Sequence, residues 1–95
     1  MAETVRVFDP TGHVRVTEVE AAARPTSLDG LRPGILENRK ANARFLMETM
    51  VEALRERADL GALTVGSKPV AGPPSAAVMK ELTENCDFVL VGSSD

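Results

Sequence analysis

The fold is decided by residues 31–54, LRPGILENRKANARFLMETMVEAL, which run from an apolar stretch through a polar turn into an amphipathic segment. Residues 35–37 predict a short buried strand, and the turn after them is rich in charged and amide side chains. In α/β proteins, a strand that enters a helix through such a turn places polar groups at its carboxyl end. Because open α/β sheets bind ligands at that edge, the stretch predicts a fold class and the location of a site.

A helix is predicted over residues 42–57, where apolar residues recur at spacings of three and four. Its other side carries mixed charges, which is typical of a solvated face. Phe45 lies beside the apolar stripe, where an aromatic ring covers the edge of a core or marks a subunit contact. We expect the stripe to pack on the sheet through Ala43, Leu46, Met47, Met50, Leu54 and Ala58.

Two more apolar runs, residues 62–65 and 88–91, predict two further strands, and we expect the second to be covered on both faces. Between them, a pair of prolines delays the start of a second helix, and Ser75 is a good cap for residues 76–84. The predicted class is therefore α/β, with βαβαβ order and a small three-stranded parallel sheet, a Rossmann-like half with its first strand central. The inward residues of the second helix should be Val78, Met79 and Leu82.

The amino-terminal part predicts a β-hairpin, because alternating valines flank a Pro- and Gly-containing turn within residues 4–16. A lone hairpin is marginal in water, so we expect it to pack on the main sheet's edge or on a second subunit. Residues 17–29 are interpreted as a linker. The chain then divides into a hairpin and linker over residues 1–29 and a βαβαβ domain over residues 30–95, forming one compact unit.

Composition narrows the classes of partner. The net charge of −3 argues against nucleic acid, since phosphate binding needs clustered Lys and Arg and this chain interleaves them with acids. The sequence contains no apolar run of about 20 residues, so a membrane role is not indicated and we expect a cytoplasmic location. With three Phe and no Trp or Tyr, the core is small, and burial shared with a second polypeptide or a second copy is expected.

Three loops should meet at the carboxyl edge of the sheet, namely residues 37–42, 66–68 and 92–95. The start of the first helix would offer free amides there, which suits a small anionic or polar ligand. Glu37 and Asp95 are the candidate acid/base pair, at the ends of adjacent strands. The candidate substrate-binding residues are Asn38, Lys40, Asn42, Ser67, Lys68, Ser93 and Ser94. The alternative is that the asparagines only shape and cap the turn and that the lysines are merely solvated.

The remaining chemistry-bearing residues are less informative. Cys86, the single cysteine, falls at the opposite end of the sheet, where a small buried hydrophobe is the expected role, and its being single fits a reducing compartment. His13 has no second His or Cys to complete a metal site, so no metal is predicted. No phosphate-binding glycine loop is visible, and the residues identify no cofactor.

Several motifs in order resemble those of the UGSC-type proteins, which are predicted selenocysteine or cysteine proteins. They are VFDPT at residues 7–11, RP at 24–25, LDGL at 28–31, GILENRKANA at 34–43, and the closing stretch 86–95. In that family the third strand runs into an Asp, then selenocysteine or cysteine, then Gly-Ser-Cys, at the mouth of a helix. Asp95 matches the residue that precedes the reactive position.

The resemblance implies a redox or lyase-like active site whose nucleophile this chain lacks. One explanation is a UGA codon after Asp95 that ends the product unless selenocysteine is inserted, which would make the chain a truncated amino-terminal part. The other is a natural short subunit that builds its site with a second polypeptide. The first functional hypothesis is thus a subunit or part of a redox or lyase-like enzyme that supplies a polar crevice. The alternatives are a non-catalytic binding or assembly module and a structural protein without a ligand.

Overall fold

The computed structural model describes residues 3–93, and within them the chain forms three strands and two helices. The elements alternate in the predicted βαβαβ order. They are β1 (Pro33–Glu37), α1 (Ala43–Arg55), β2 (Thr64–Ser67), α2 (Ala76–Asn85) and β3 (Phe88–Gly92). The second helix is capped as predicted, since the Ser75 hydroxyl accepts a hydrogen bond from the backbone N–H of Val78 at 3.2 Å.

The sheet has the order β2-β1-β3, and both outer strands run parallel to β1. Ile35 of β1 lies opposite Val65 on one side and Leu90 on the other. The central position of β1 confirms the prediction for the first strand. The Rossmann-like description is not confirmed, because a Rossmann half places its second strand between the first and the third.

Helix α1 packs over β1 and β3, and one narrow line of its surface is buried. Ala43, Met47 and Val51 form that line at a spacing of four and pack around Ile35, which is fully buried. The prediction that Leu46 and Met50 also face inward is wrong. Their exposed fractions are 54% and 45%, because a sheet of three strands is too narrow to cover both sides of the stripe.

Helix α2 lies on the opposite face of the sheet, against β2. Leu82 is buried, and both Val78 and Leu82 pack over Gly66, which lacks a side chain where the helix approaches. Met79, predicted to face inward, is 48% exposed. The expectation that β3 is covered on both faces is also wrong, since Val91 is 69% exposed. Both corrections have one cause: α2 sits over β2 and leaves the β3 side of this face open.

An ion pair ties the amino ends of the strands together. The Arg32 guanidinium donates to both carboxylate oxygens of Asp87, at 3.1 and 3.2 Å, and the backbone N–H of Arg32 donates to the same carboxylate at 2.8 Å. The backbone N–H of Asp87 donates to the Arg32 carbonyl at 2.8 Å. These contacts hold the start of β3 beside the start of β1, and the pKa of Asp87 is lowered, mainly by the hydrogen bond from Arg32.

The predicted amino-terminal hairpin is not confirmed, because no strand or helix occurs between residues 3 and 32. Residues 3–27, the N-terminal arm, are exposed throughout. The physical reason is that a two-stranded ribbon needs a surface to pack on. The molecule measures 72 Å along its longest axis and about 30 Å along the others, with extents of 31 and 28 Å. Among residues 3–93, neither helix has the length and apolar character that crossing a bilayer requires.

Candidate functional site

The carboxyl ends of the three strands meet at one edge of the sheet, and backbone hydrogen bonds join the loops that follow them. The N–H of Asn38, just after β1, donates to the carbonyl of Gly92 at the end of β3, at 3.1 Å. The N–H of Lys68, just after β2, donates to the Glu37 carbonyl at 2.9 Å. Glu37, Asn38, Ser67, Lys68 and Ser93 are therefore neighbours on one rim, which we call the strand-end site.

Asn38 positions the backbone that follows β3. Its side-chain amide donates to the carbonyl of Ser93 at 2.5 Å, and its side-chain oxygen accepts from the Ser93 N–H at 3.1 Å. The same oxygen lies 3.4 Å from the backbone nitrogen of Lys40. An amide suits this position because it offers a donor and an acceptor at once. The turn-shaping role predicted as the alternative for Asn38 is thus present in the structure.

Glu37 is held as a carboxylate by its neighbours. It accepts hydrogen bonds from the Ser67 hydroxyl and from the backbone N–H of Arg39, and these lower its pKa, the Ser67 bond having the larger effect. Arg39 in turn donates from Nε to the Ser67 oxygen at 3.1 Å. Since hydrogen bonds to the ionised form favour that form, Glu37 is ionised at neutral pH. It can accept a proton or a hydrogen bond there, but it is a poor proton donor.

Arg39 is the residue that the sequence interpretation did not include in the site. Its φ angle of 62° places it in the left-handed region, which only a few per cent of non-glycine residues adopt. This conformation turns the chain so that its guanidinium reaches Ser67 on the neighbouring loop. The sequence feature that could have identified Arg39 as a site residue was its position inside the polar turn between the first strand and the first helix.

Asn42 occupies the residue before α1 and also has a left-handed backbone, with φ of 64°. Its side chain makes no capping hydrogen bond, so the capping role weighed for Asn42 is not present. Its carbonyl accepts the N–H of Leu46 at 2.8 Å. The first turn of α1 contains no acidic side chain, so the positive end of the helix dipole is not offset within that turn.

Two hollows border the strand-end site. The smaller, about 200 Å³, is lined by Asn38, Lys68, Val91, Gly92 and Ser93. The larger, about 510 Å³, lies beside the start of α1 and is mostly apolar, with Asn42, Phe45, Leu46 and Ser93 in its wall. Ser93 borders both hollows, so the backbone that Asn38 positions lies between them.

The lysines of the loops after β1 and β2 differ in their surroundings. The Lys68 ammonium group donates to the Pro69 carbonyl at 2.8 Å while its side chain lines the smaller hollow. Lys40 is half-buried in the turn between β1 and α1. Ser94 and Asp95, predicted as a binding and a catalytic residue, lie outside the described residues, so the acid/base pair of Glu37 with Asp95 stays a prediction.

The rim brings together the Glu37 carboxylate, the Ser67 hydroxyl and the Lys68 side chain, and the start of α1 borders the adjacent larger hollow. It does not supply a thiol. Cys86 lies before β3, at the far end of the sheet, with its Sγ 3.7 Å from the Pro33 carbonyl oxygen. In residues 3–93, no three His, Cys, Asp or Glu side chains are grouped as metal ligands would be.

Comparison with known proteins agrees with the family that the sequence resembles. Neither the curated proteins nor the solved structures contain a match to this chain. One family model, described as UGSC family, matches residues 6–95 and so spans both the N-terminal arm and the sheet. The chain therefore belongs to the UGSC family.

Proposed function

We propose that the strand-end site binds a small anionic or polar molecule. The observation that carries the proposal is that Asn38 joins the ends of β1 and β3 through Gly92 and Ser93, while the Lys68 N–H joins the end of β2 to Glu37. An anion in the smaller hollow would interact with the Lys68 side chain. The start of α1, whose first turn has no acidic side chain, lies next to the same Ser93 backbone and adds a favourable field.

We propose further that this binding serves a redox or lyase-like reaction, in which the chain is a subunit or part of a larger catalytic assembly. The support is membership of the UGSC family together with Glu37, an ionised carboxylate on the same rim as Lys68 and Ser93. Glu37 would take a proton from the bound substrate. The only cysteine, Cys86, lies at the far end of the sheet, so a reactive selenol or thiol would come from outside the described residues.

The binding proposal is tested by titrating the ¹⁵N-labelled chain with inorganic phosphate and, separately, with small mono- and dicarboxylates. We expect changes in amide chemical shifts that are confined to the loops after β1, β2 and β3 and to the first turn of α1. Lys68→Gln should weaken that binding several-fold. Lys80→Gln is the matched control, because Lys80 is an exposed lysine of α2 that faces Glu84 rather than the site. Shifts spread over the surface, or equal losses in the two variants, would contradict the proposal.

The catalytic proposal is tested on the native assembly, purified under reducing conditions from cells that make the chain. We expect either stoichiometric selenium or a second polypeptide with a reactive cysteine. In such an assembly Glu37→Gln should lower turnover while leaving the binding of the carboxylate probe in place. A native preparation with neither selenium nor a second thiol-bearing chain would overturn the catalytic part and leave the binding part standing. A cytoplasmic location remains a prediction that cell fractionation checks.

A second candidate function is a non-catalytic assembly module. The observation that favours it is the amount of apolar side chain that the N-terminal arm exposes, with Val5, Val7 and Phe8 each at least 81% accessible. The two edge strands of this small sheet, β2 and β3, also favour association, because an edge strand presents unpaired backbone groups.

A further inference from the structure

The chain exposes more surface than a compact protein of its mass. Its accessible area is 8076 Å² for 10.1 kDa. A folded monomer of this mass exposes about 5,300 Å², so the excess is about 2,800 Å². A stable interface of ordinary size removes about 800 Å² from each partner, and the excess is therefore ample for one.

Much of the exposed apolar surface lies on the N-terminal arm. Val5, Val7, Val14 and Val16 are 78% to 83% exposed, and Phe8 is fully exposed. Because successive side chains of an extended strand point to opposite faces, Val5 and Val7 would share one face and Arg6 would lie on the other. An arm with this pattern can add to a sheet as an edge strand, with its valines turned toward an apolar surface.

The sheet has a surface of the complementary kind. Strand β3 is at the edge of the β2-β1-β3 order, so its outer side offers unpaired backbone groups. On the α2 face, next to this edge, lies a groove of about 420 Å³, which we call the β3 groove. Its apolar lining includes Leu36, Met79, Leu82, Val89 and Val91.

We infer that the N-terminal arm of one chain adds to the free edge of β3 in a second copy, with Val5 and Val7 over the β3 groove. A second copy fits because one chain carries both surfaces. In the single chain, moreover, the arm extends away from its own sheet. Reciprocal exchange makes the contact twice about a two-fold axis, so each copy gives one arm and receives one. The inference does not depend on the strand-end site.

The first test measures the mass of the full chain in solution across a range of concentrations. We expect a species of twice the 10.1 kDa chain that dissociates on dilution. Val91→Glu, and separately Val5→Asp with Val7→Asp, should raise the dissociation constant at least about tenfold, because each places a charge against an apolar surface. Val70→Glu is the matched control, since Val70 is a comparably exposed valine at 55%, outside the arm and the groove lining, and its change should leave the dimer intact.

All of these variants alter side chains that are exposed in the single chain, so the fold should survive, and circular dichroism checks this. A monomer at every concentration, whether the arm is free or folded back on its own sheet, would overturn the inference. A dimer that withstands both the arm and the groove substitutions would overturn it equally.

The second test establishes which chain supplies the arm. Two preparations, one with Val7→Cys and one with Val91→Cys, both in a Cys86→Ala background, are mixed and oxidised. We expect a covalent pair that contains one chain of each kind. If the pair is absent and a chain carrying both substitutions instead closes an internal disulfide, the arm docks on its own sheet and the inference is wrong.

Discussion

Replacing Asn38 by Ala removes the side chain that joins the loops after β1 and β3. Two hydrogen bonds with the Ser93 backbone are lost, and the weaker contact with the Lys40 N–H goes with them. Each such bond contributes about 0.5–1.5 kcal/mol net, and partial burial favours the lower half of that range. We therefore expect Asn38→Ala to lower the free energy of unfolding by about 1–2 kcal/mol.

The assay is urea unfolding followed by circular dichroism, with native-state hydrogen exchange as a local readout. Asn85→Ala is the matched control, because Asn85 is exposed at the end of α2 and its side-chain amide donates to the Glu81 carbonyl at 2.8 Å, within the same helix. It should cost no more than about 0.5 kcal/mol, and the Ser93 amide should lose protection in Asn38→Ala alone. Equal losses in the two variants, or an unchanged Ser93 amide, would refute the view that Asn38 organises this edge.

Three further predictions concern the packing, the cap and the ion pair. Gly34→Ala would place a Cβ 2.5 Å from the Sγ of Cys86, so we expect a loss of about 1–3 kcal/mol in urea unfolding. Part of this loss should be recovered in a Cys86→Ala background. Ser75→Ala removes the cap of α2 and should cost about 1 kcal/mol by the same assay. Arg32 lowers the pKa of Asp87 below its ordinary value of 3.8. The pair therefore stabilises the fold above that pH, and this contribution is lost as the pH falls through the pKa of Asp87 in the folded state. In Asp87→Asn, the free energy of unfolding should consequently fall less steeply as the pH is lowered through this range.

The order of the elements was readable from the sequence because it depends on local chemistry. The apolar spacing of α1 and the cap at Ser75 act within one or two turns of the chain, and both helices form where they were predicted. The position of β1 at the centre of the sheet followed from connection rules for parallel strands. The meeting of Asn38, Ser67 and Ser93 at one rim follows from the same topology, although their binding roles stay a prediction.

The tertiary structure decided which apolar residues are covered. Leu46 and Met50 satisfy the helical pattern as well as Met47 does, yet only Met47 is buried, because burial depends on the width of the sheet beneath the helix.

The same distinction applies to the amino-terminal segment and to Arg39. Alternating valines indicate that residues 4–16 can form strands, but a strand forms only where a neighbouring strand supplies hydrogen bonds and an apolar surface. Arg39 joins Ser67 because the folded loops lie side by side, which spacing along the chain does not encode. The sequence by itself thus determined the elements and their order, whereas long-range packing decided their coverage and the contacts at the rim.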